Sequence, residues 1–389
     1  MMPKSRTAAA LIASALSLSA LFIVSCGRDS YPLKSVDPYG TGTDPLSDWS
    51  MPVAMDVPII LTVPTYDSTG QAVHPDVVRF PGGWHGAKYW MSMTPYPFGA
   101  SSHENPSILA SDDGLSLAVP SGITNPLIPA LINSGYNSDP DLIYDAVQDE
   151  LVMSYRQVYG GYNSVYVTAS KDGSNWSTPR MAFREVNHSA VSQTIVPAHN
   201  AVPAIAWYVD AGAAGCSATS ARVMTRSATA APISLAAAHW SAPIATDLSI
   251  VGYIPWHIKV SYIPSKREYW ALVVAYPNDG NGCGADDLFL SHSRNGVHWE
   301  TSRRPLMKHQ DHWWSQGALY RGTFLYDDKS DQLAVWFSAR GNDDEWRMLF
   351  MRMNYTSLAN RLAQAPSLAT AVDSAAAKQP RREVWTTAP

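Results

Sequence analysis

Three acidic side chains have the types and settings for acid–base chemistry: Asp76 in His74-Pro75-Asp76, Glu104 in His103-Glu104-Asn105-Pro106, and Asp139 in Asn137-Ser138-Asp139-Pro140. Two carboxylates in different environments are the minimum kit for glycoside hydrolysis, one acting as general acid and the other as base or nucleophile. A third can tune its neighbours through like-charge repulsion. Plainer roles compete, because an Asp after Pro caps a turn and Asn-Ser-Asp-Pro is an ordinary loop-to-strand entry. His257 would bind substrate hydroxyls or assist proton transfer, or be a hydrogen-bonded core histidine. Arg321 would clamp a substrate carboxylate or neutralise Asp76 and Asp139. Arg156, Asn105 and Trp256 complete the expected substrate contacts, with Tyr96, Tyr159 and Tyr162 on the rim.

The composition, 46% hydrophobic and 16% charged over 389 residues, belongs to a globular chain. A net charge of −5 excludes a basic nucleic-acid footprint. Fourteen Trp and nineteen Tyr against eight Phe favour rings with a polar handle, as wet sugar-binding surfaces and β-rich cores both use. Residues 1–25 read as a secretory signal: Lys4 and Arg6 precede an uncharged apolar run. Leu21-Phe22-Ile23-Val24-Ser25-Cys26 resembles a bacterial lipobox, which implies lipidation at Cys26 and a place in the bacterial cell envelope; ordinary signal cleavage or a membrane anchor are the alternatives. Residues 26–52 read as a tether, so the expected membrane contact is the N-terminal lipid alone. A monomer is expected.

The elements that must position these residues come from a repeat. Ser170-Lys171-Asp172-Gly173-Ser174-Asn175-Trp176 and Ser293-Arg294-Asn295-Gly296-Val297-His298-Trp299 each follow a strand, as does the weaker Ser111-Asp112-Asp113-Gly114. Asp-Gly and Asn-Gly are strong hairpin signals. The anchors Ser111, Ser170, Ser227, Ser293 and Asn354 recur at intervals of 57–66 residues, each preceded by two further apolar strands. Five units of three or four antiparallel strands predict an all-β, five-bladed β-propeller over 53–358, followed by a loosely held tail over 359–389. In that topology Asp76, Asp139, Ser192, His257 and Arg321 head the five axial strands. Glu104 and Arg156 lie on loops of the same face. Cys216 and Cys283 fall in equivalent loops of adjacent blades, which makes them candidates for a disulfide in an exported chain.

The blade heads His74-Pro75-Asp76 and Asn137-Ser138-Asp139-Pro140, on five units, resemble the five-bladed glycoside hydrolases that include arabinanases, β-xylosidases, invertases and levansucrases. The resemblance implies Asp76 as general base, Asp139 as tuner, and a blade-three Glu as general acid acting on a poly- or oligosaccharide with a furanoside linkage. The head of blade three reads Val191-Ser192-Gln193-Thr194 and lacks that Glu; Glu104 and Glu185 are the replacements. The Asp-Gly turns also resemble sialidase Asp-boxes, but only Arg321 and Arg156 answer to the three arginines a sialidase needs. The chain has no Gly-rich phosphate loop and no His-Glu-x-x-His. His309 and His312 read as rim residues, so no catalytic metal or cofactor is expected, with a structural Ca²⁺ near the axis admissible. A non-catalytic glycan-binding lipoprotein and a structural or partner-binding propeller are the other two readings.

Overall fold

The structure is a computed structural model and describes residues 57–131, 135–186, 189–228, 235 and 239–363. The signal segment, Cys26 and the tether lie outside the described residues, as does the chain beyond 363.

Five antiparallel sheets form the blades, each built outward from an axial strand. Blade one runs Ala72–Trp84, Ala87–Pro95 and Ser107–Ser111. Blade two runs Tyr136–Asp145, Glu150–Tyr159, Tyr162–Ser170 and Arg180–Val186. Blade three runs Val191–Val196, Ile205–Asp210, Arg222–Ser227 and Ile244–Ala245. Blade four runs Tyr253–Ile263, Glu268–Pro277, Asp287–Ser293 and Glu300–Thr301. Blade five runs Ala318–Asp327, Gln332–Arg340 and Trp346–Asn354, and is completed by the N-terminal pair Ile59–Ile60 against Phe350 and Leu349. Pairing the first strand with the last blade closes the ring.

The axial and second strands are apolar on both faces because each blade packs between two others. Along Glu268–Pro277, for example, every residue from Tyr269 to Tyr276 is buried. The hairpin turns supply the joints between blades. In three of them a Ser and an Asp or Asn side chain satisfy the turn: Asp113 Oδ1 accepts from the amides of Leu115 and Ser116, Asp172 Oδ1 from those of Ser174 and Asn175, and Asn295 Oδ1 from those of Val297 and His298. The following glycine adopts a left-handed φ of 76°, 74° and 74° at Gly114, Gly173 and Gly296. Against each lies a buried Trp from the second strand of the preceding blade: Trp336 on Gly114, Trp90 on Gly173 and Trp207 on Gly296. Trp336 and Trp207 donate their indole N–H to the carbonyls of Gly114 and Gly296, at 2.8 and 2.7 Å. The turn glycines are thus blade-to-blade seats as well as turn formers.

Two features refine the expected boundaries. Cys216 and Cys283 form a disulfide with Cα atoms 5.1 Å apart, joining the equivalent loops of blades three and four. Tyr355–Ala363 is an α-helix that buries Leu358 and Leu362, four residues apart on one face, and stacks Tyr355 on Trp270 at 4.2 Å. The ordered body therefore extends past 358, because an amphipathic turn follows blade five before the Ala-rich sequence begins.

A Cβ at Gly173 would lie 2.2 Å from the Trp90 ring in a backbone that disfavours L side chains, whereas Gly160, at φ 60°, faces open space. Gly173→Ala is expected to lower unfolding free energy by about 2–4 kcal/mol and Gly160→Ala by only about 1 kcal/mol. Urea denaturation of both variants measures the difference.

Candidate functional site

Side chains two apart on a strand point the same way, so the axial strands present polar residues in pairs: His74 and Asp76, Asp139 and Asp141, Ser192 and Thr194, His257 and Lys259, Arg321 and Thr323. Bulges at the heads aim them inward. The register shifts between Val73 and Asp76, between Ser138 and Asp141, between Pro255 and His257, and between Tyr320 and Gly322. His74, Asp139 and Ser192 hold positive φ of 56°, 50° and 54°. Left-handed backbone at three non-glycine residues around one point is the kind of strain that clusters at functional sites.

The second members Asp76, Asp141, Lys259 and Thr323, joined by Arg321 from blade five, build a buried plug. Lys259 Nζ lies 2.6 Å from Asp76 Oδ2 and 2.7 Å from Asp141 Oδ1, and Arg321 Nη2 donates to Asp141 Oδ1 at 3.1 Å. Asp76 is fully engaged: Oδ1 accepts from Val77 N and Thr323 Oγ1, and Oδ2 from Leu142 N and Lys259 Nζ. Arg321 also donates to the carbonyls of Pro140 and Gln193. Burial pushes the Asp76 carboxyl up, while Lys259 and Arg321 hold Asp141 down against the same burial. Two expectations are corrected here. Asp76 is not placed as a catalytic base, because all its acceptor positions are taken inside the plug. Arg321 is not a substrate clamp: it neutralises Asp141 and, at 4.0 Å, Asp76, rather than Asp139.

The first members His74, Asp139 and His257 form a different cluster. Asp139 Oδ2 accepts from Arg156 Nε at 2.9 Å and Ser192 N at 3.1 Å, which leaves Oδ1 facing His74 Nε2 at 3.0 Å and His257 Nδ1 at 3.5 Å. These three atoms are buried, and none makes a hydrogen bond of proper geometry. One ligand atom from each residue lies within 4.8 Å of the others. His74 Nδ1 is tied to Thr94 Oγ1 at 2.8 Å, which orients the ring. Burial lowers the pKa of both imidazoles, well below the usual value for His74, and keeps them neutral. Burial opposes ionisation of Asp139, but Arg156 together with His74 and His257 holds it well below the usual carboxylate range. Two neutral imidazoles and one carboxylate with orphaned, convergent atoms fit a divalent transition metal such as Zn²⁺ or Mn²⁺.

Around this cluster stand Glu104, Tyr320, Tyr96 and Trp256. Glu104 is buried with Oε2 unpartnered; burial, reinforced by Asp139, raises its pKa well above the usual carboxyl value despite Arg156 and a hydrogen bond from Ser138. The Tyr320 ring packs on His257 at 4.2 Å and His74 at 5.1 Å, and Trp256 lies 5.5 Å from His257. Arg156 and Asn105 do not reach outward as substrate contacts. Arg156 Nε is spent on Asp139 and Ser138. Asn105 is fully buried, donating to Tyr66 OH and accepting from Asn137, so it staples the Glu104 loop. Glu185 sits on the outer strand of blade two, paired with Arg226 and Tyr208, far in the sheet from the axial strand. A recess of 670 Å³ lined by Glu150, Lys171, Asp172, Trp176 and Arg180 opens at the opposite ends of the strands and shares no residue with the cluster.

No protein-family model matches the chain. Over 325 residues, 72% of its length, it is 27% identical to the A type blood N-acetyl-α-D-galactosamine deacetylase of Flavonifractor plautii, and it spans 41% of that protein. The crystal structure of an N-acetylgalactosamine deacetylase from F. plautii in complex with blood group B trisaccharide superposes with a TM-score of 0.71 at 24% identity, covering 79% of this chain and 97% of that one. The catalytic domain of the Coprinopsis cinerea GH62 α-L-arabinofuranosidase matches with a TM-score of 0.52 at 13% identity, covering 83% and 99%. The chain therefore has the five-bladed fold that glycoside hydrolases use, and it shares that fold with a deacetylase.

Two outcomes follow from the buried charges. Lys259→Met strands two carboxylates in the plug, and a loss of about 3–5 kcal/mol is expected in urea unfolding. A separate buried carboxyl, Asp286, just ahead of the third strand of blade four, is pushed up to about 8 by burial and by Asp287, with Arg340 opposing. Its folded pKa exceeds the unfolded value of about 4, so the native state binds the extra proton, and the stability this provides is lost as pH rises toward about 8. Asp286→Asn is expected to flatten the fall in unfolding free energy between about pH 5 and 8, read by denaturation across that range.

Proposed function

We propose that this chain is a metal-dependent N-deacetylase acting on an N-acetylated sugar of a glycan. The observation that carries the reading is the set of buried, unpartnered atoms on His74, Asp139 and His257, in the charge states that ligate a metal. The similarity to the F. plautii deacetylase supports it, and so does the use of this fold by carbohydrate enzymes. Paired-carboxylate glycoside hydrolysis is less well supported, since Asp76 is locked in the plug.

A divalent cation held by these three residues would supply Lewis-acid activation of water and of the acetamide carbonyl. The chain's own residues would do the rest. Arg156 and the Ser192 amide hold Asp139 so that Oδ1 faces the imidazoles. Thr94 fixes the His74 ring. Glu104, with its raised pKa, would take a proton from the attacking water and deliver it to the departing nitrogen: a C–O bond forms, the C–N bond breaks, and acetate and a free amine leave.

Acetate release from blood group A trisaccharide, N-acetyl-D-galactosamine and chitin oligomers, with and without EDTA and added Mn²⁺ or Zn²⁺, tests the reading. Expected are acetate and free amine in equal amounts, loss of activity with chelator, recovery with metal, and a kcat about 10²–10⁴-fold lower in Glu104→Gln with metal binding retained. Release of reducing sugar without acetate, or acetate release that survives both EDTA and His74→Ala, would overturn it.

A further inference from the structure

On the face that carries the His74–Asp139–His257 cluster, two loops at blade five build an exposed ledge. One leads from blade four into the axial strand Ala318–Asp327, and the other joins Gln332–Arg340 to Trp346–Asn354. In the first, Trp314 is buried in the core shared by blades four and five, while its neighbour Trp313 is 59% exposed. In the second, Asn342, Asp343, Asp344 and Glu345 are all exposed. The backbone ties the loops together, since Gly317 N donates to the carbonyl of Arg340 at 2.8 Å.

The exposed ring is held in place. The Arg347 guanidinium lies 5.0 Å from the Trp313 ring centroid, and it is fixed in turn by Nη1 donating to Asp343 Oδ1 at 2.9 Å and to the Glu345 carbonyl at 3.1 Å, and by Nη2 donating to Asp343 Oδ2 at 2.6 Å and to Glu345 Oε2 at 2.8 Å. A guanidinium locked over one face of the indole leaves the other face to solvent. Across the same two loops, Asn342 Nδ2 donates to Gln316 Oε1. That bond leaves Gln316 Nε2 as a donor and Asn342 Oδ1 as an acceptor, both on exposed residues and without a partner among the described residues. The ledge borders the wall of the cluster: Trp346, the residue before Arg347, lies 4.9 Å from Tyr320, and Tyr320 lies 4.2 Å from His257.

The chemistry of the ledge selects a ligand. An anionic group would meet the carboxylates of Asp343, Asp344 and Glu345 on one short loop, and a basic segment would find two of those three already spent on Arg347. A neutral pyranose offers a C–H face for the open side of an indole and hydroxyls that each donate and accept, as one free amide donor and one free amide acceptor require. A ring fixed before the ligand arrives also loses little side-chain entropy on binding. We propose that Trp313, backed by Arg347 and flanked by Gln316 and Asn342, is an open platform for a neutral sugar ring of the glycan beyond the one that is deacetylated. The platform deepens the deacetylase reading and rests on it for the bond that is cut; it makes the substrate an extended oligosaccharide rather than a single sugar.

Steady-state acetate release by the full chain with Mn²⁺, from blood group A hexasaccharide and from N-acetyl-D-galactosamine, tests the platform in Trp313→Ala and Gln316→Ala. On the hexasaccharide, KM is expected to rise about tenfold in Trp313→Ala and about threefold in Gln316→Ala, with kcat within about twofold. On the single sugar, which does not reach the ledge, kcat/KM is expected to stay within about twofold of the wild type in both variants. Trp313 is exposed and Gln316 lies outside the core, so both variants are expected to fold, and Gln316→Ala serves as the readout if Trp313→Ala does not. A KM on the hexasaccharide that is unchanged in the folded variants, or an equal loss on both substrates, overturns the platform. If the wild type releases no acetate, the deacetylase reading fails by itself, and calorimetric binding of the hexasaccharide decides the platform. Binding weakened about tenfold in Trp313→Ala supports it, and equal binding, or none by the wild type, overturns it.

Discussion

A ring of five strands cannot bury charged side chains along its axis unless those charges are matched, since an unpaired buried charge costs several kcal/mol. Lys259 meets that constraint by serving Asp76 and Asp141 together at 2.6 and 2.7 Å, with Arg321 balancing the second carboxylate. The four groups come from four different blades. Their pairing therefore does for the axis what the Trp-on-glycine seats do for the spaces between blades: it specifies which blade sits beside which. Thr323 and the amides of Val77, Leu142 and Ile195 fill the remaining carboxylate acceptor positions, so two cations offset two carboxylates, with Arg321 Nε left without a hydrogen bond.

Completeness in one tier leaves the other free for chemistry. Two residues earlier on the same strands, His74, Asp139 and His257 converge, with Asp139 Oδ1 facing the imidazole nitrogens at 3.0 and 3.5 Å and no hydrogen bond of proper geometry between them. The contrast between the tiers is the argument for function. Both are buried and built from the same strand heads, yet the carboxylates of one are filled by protein donors while Asp139 Oδ1 and the imidazole nitrogens of the other lack a hydrogen bond of proper geometry. The bulges and the left-handed backbone at His74 and Asp139 set this difference, because they turn consecutive inward residues toward separate levels of the axis.

The fold was largely legible in the sequence because it rests on local signals that recur. Asp-Gly and Asn-Gly turns after apolar strands, repeated at a nearly constant interval, have few all-β solutions. The shared face of the strand heads was legible for the same reason, and Asp139, His257 and Glu104 lie close together there. The level within the axis was not. Asp76 and His74 are two residues apart and share a direction, so the sequence alone does not say which one joins Asp139 and His257 and which one meets Lys259, a partner 183 residues away. A signal was present in the spacing: polar residues at i and i+2 in strands that are otherwise apolar, His-x-Asp, Asp-x-Asp and His-x-Lys. Read as pairs, these point to two tiers. Arg156 lies within the strand Glu150–Tyr159 rather than on a loop, and like Asn105 on its loop it is spent on holding its surroundings together.

The claim that most of this depends on is that the upper tier is a metal site and the lower tier is not. Metal content after dialysis of the full chain against Mn²⁺ or Zn²⁺, measured by mass spectrometry on wild type, Asp139→Asn and Thr323→Val, tests it directly. One equivalent in the wild type and in Thr323→Val, with none in Asp139→Asn, is the predicted result. A wild type without bound metal, or a stoichiometry indifferent to Asp139, would contradict the account and make the upper tier a second structural cluster.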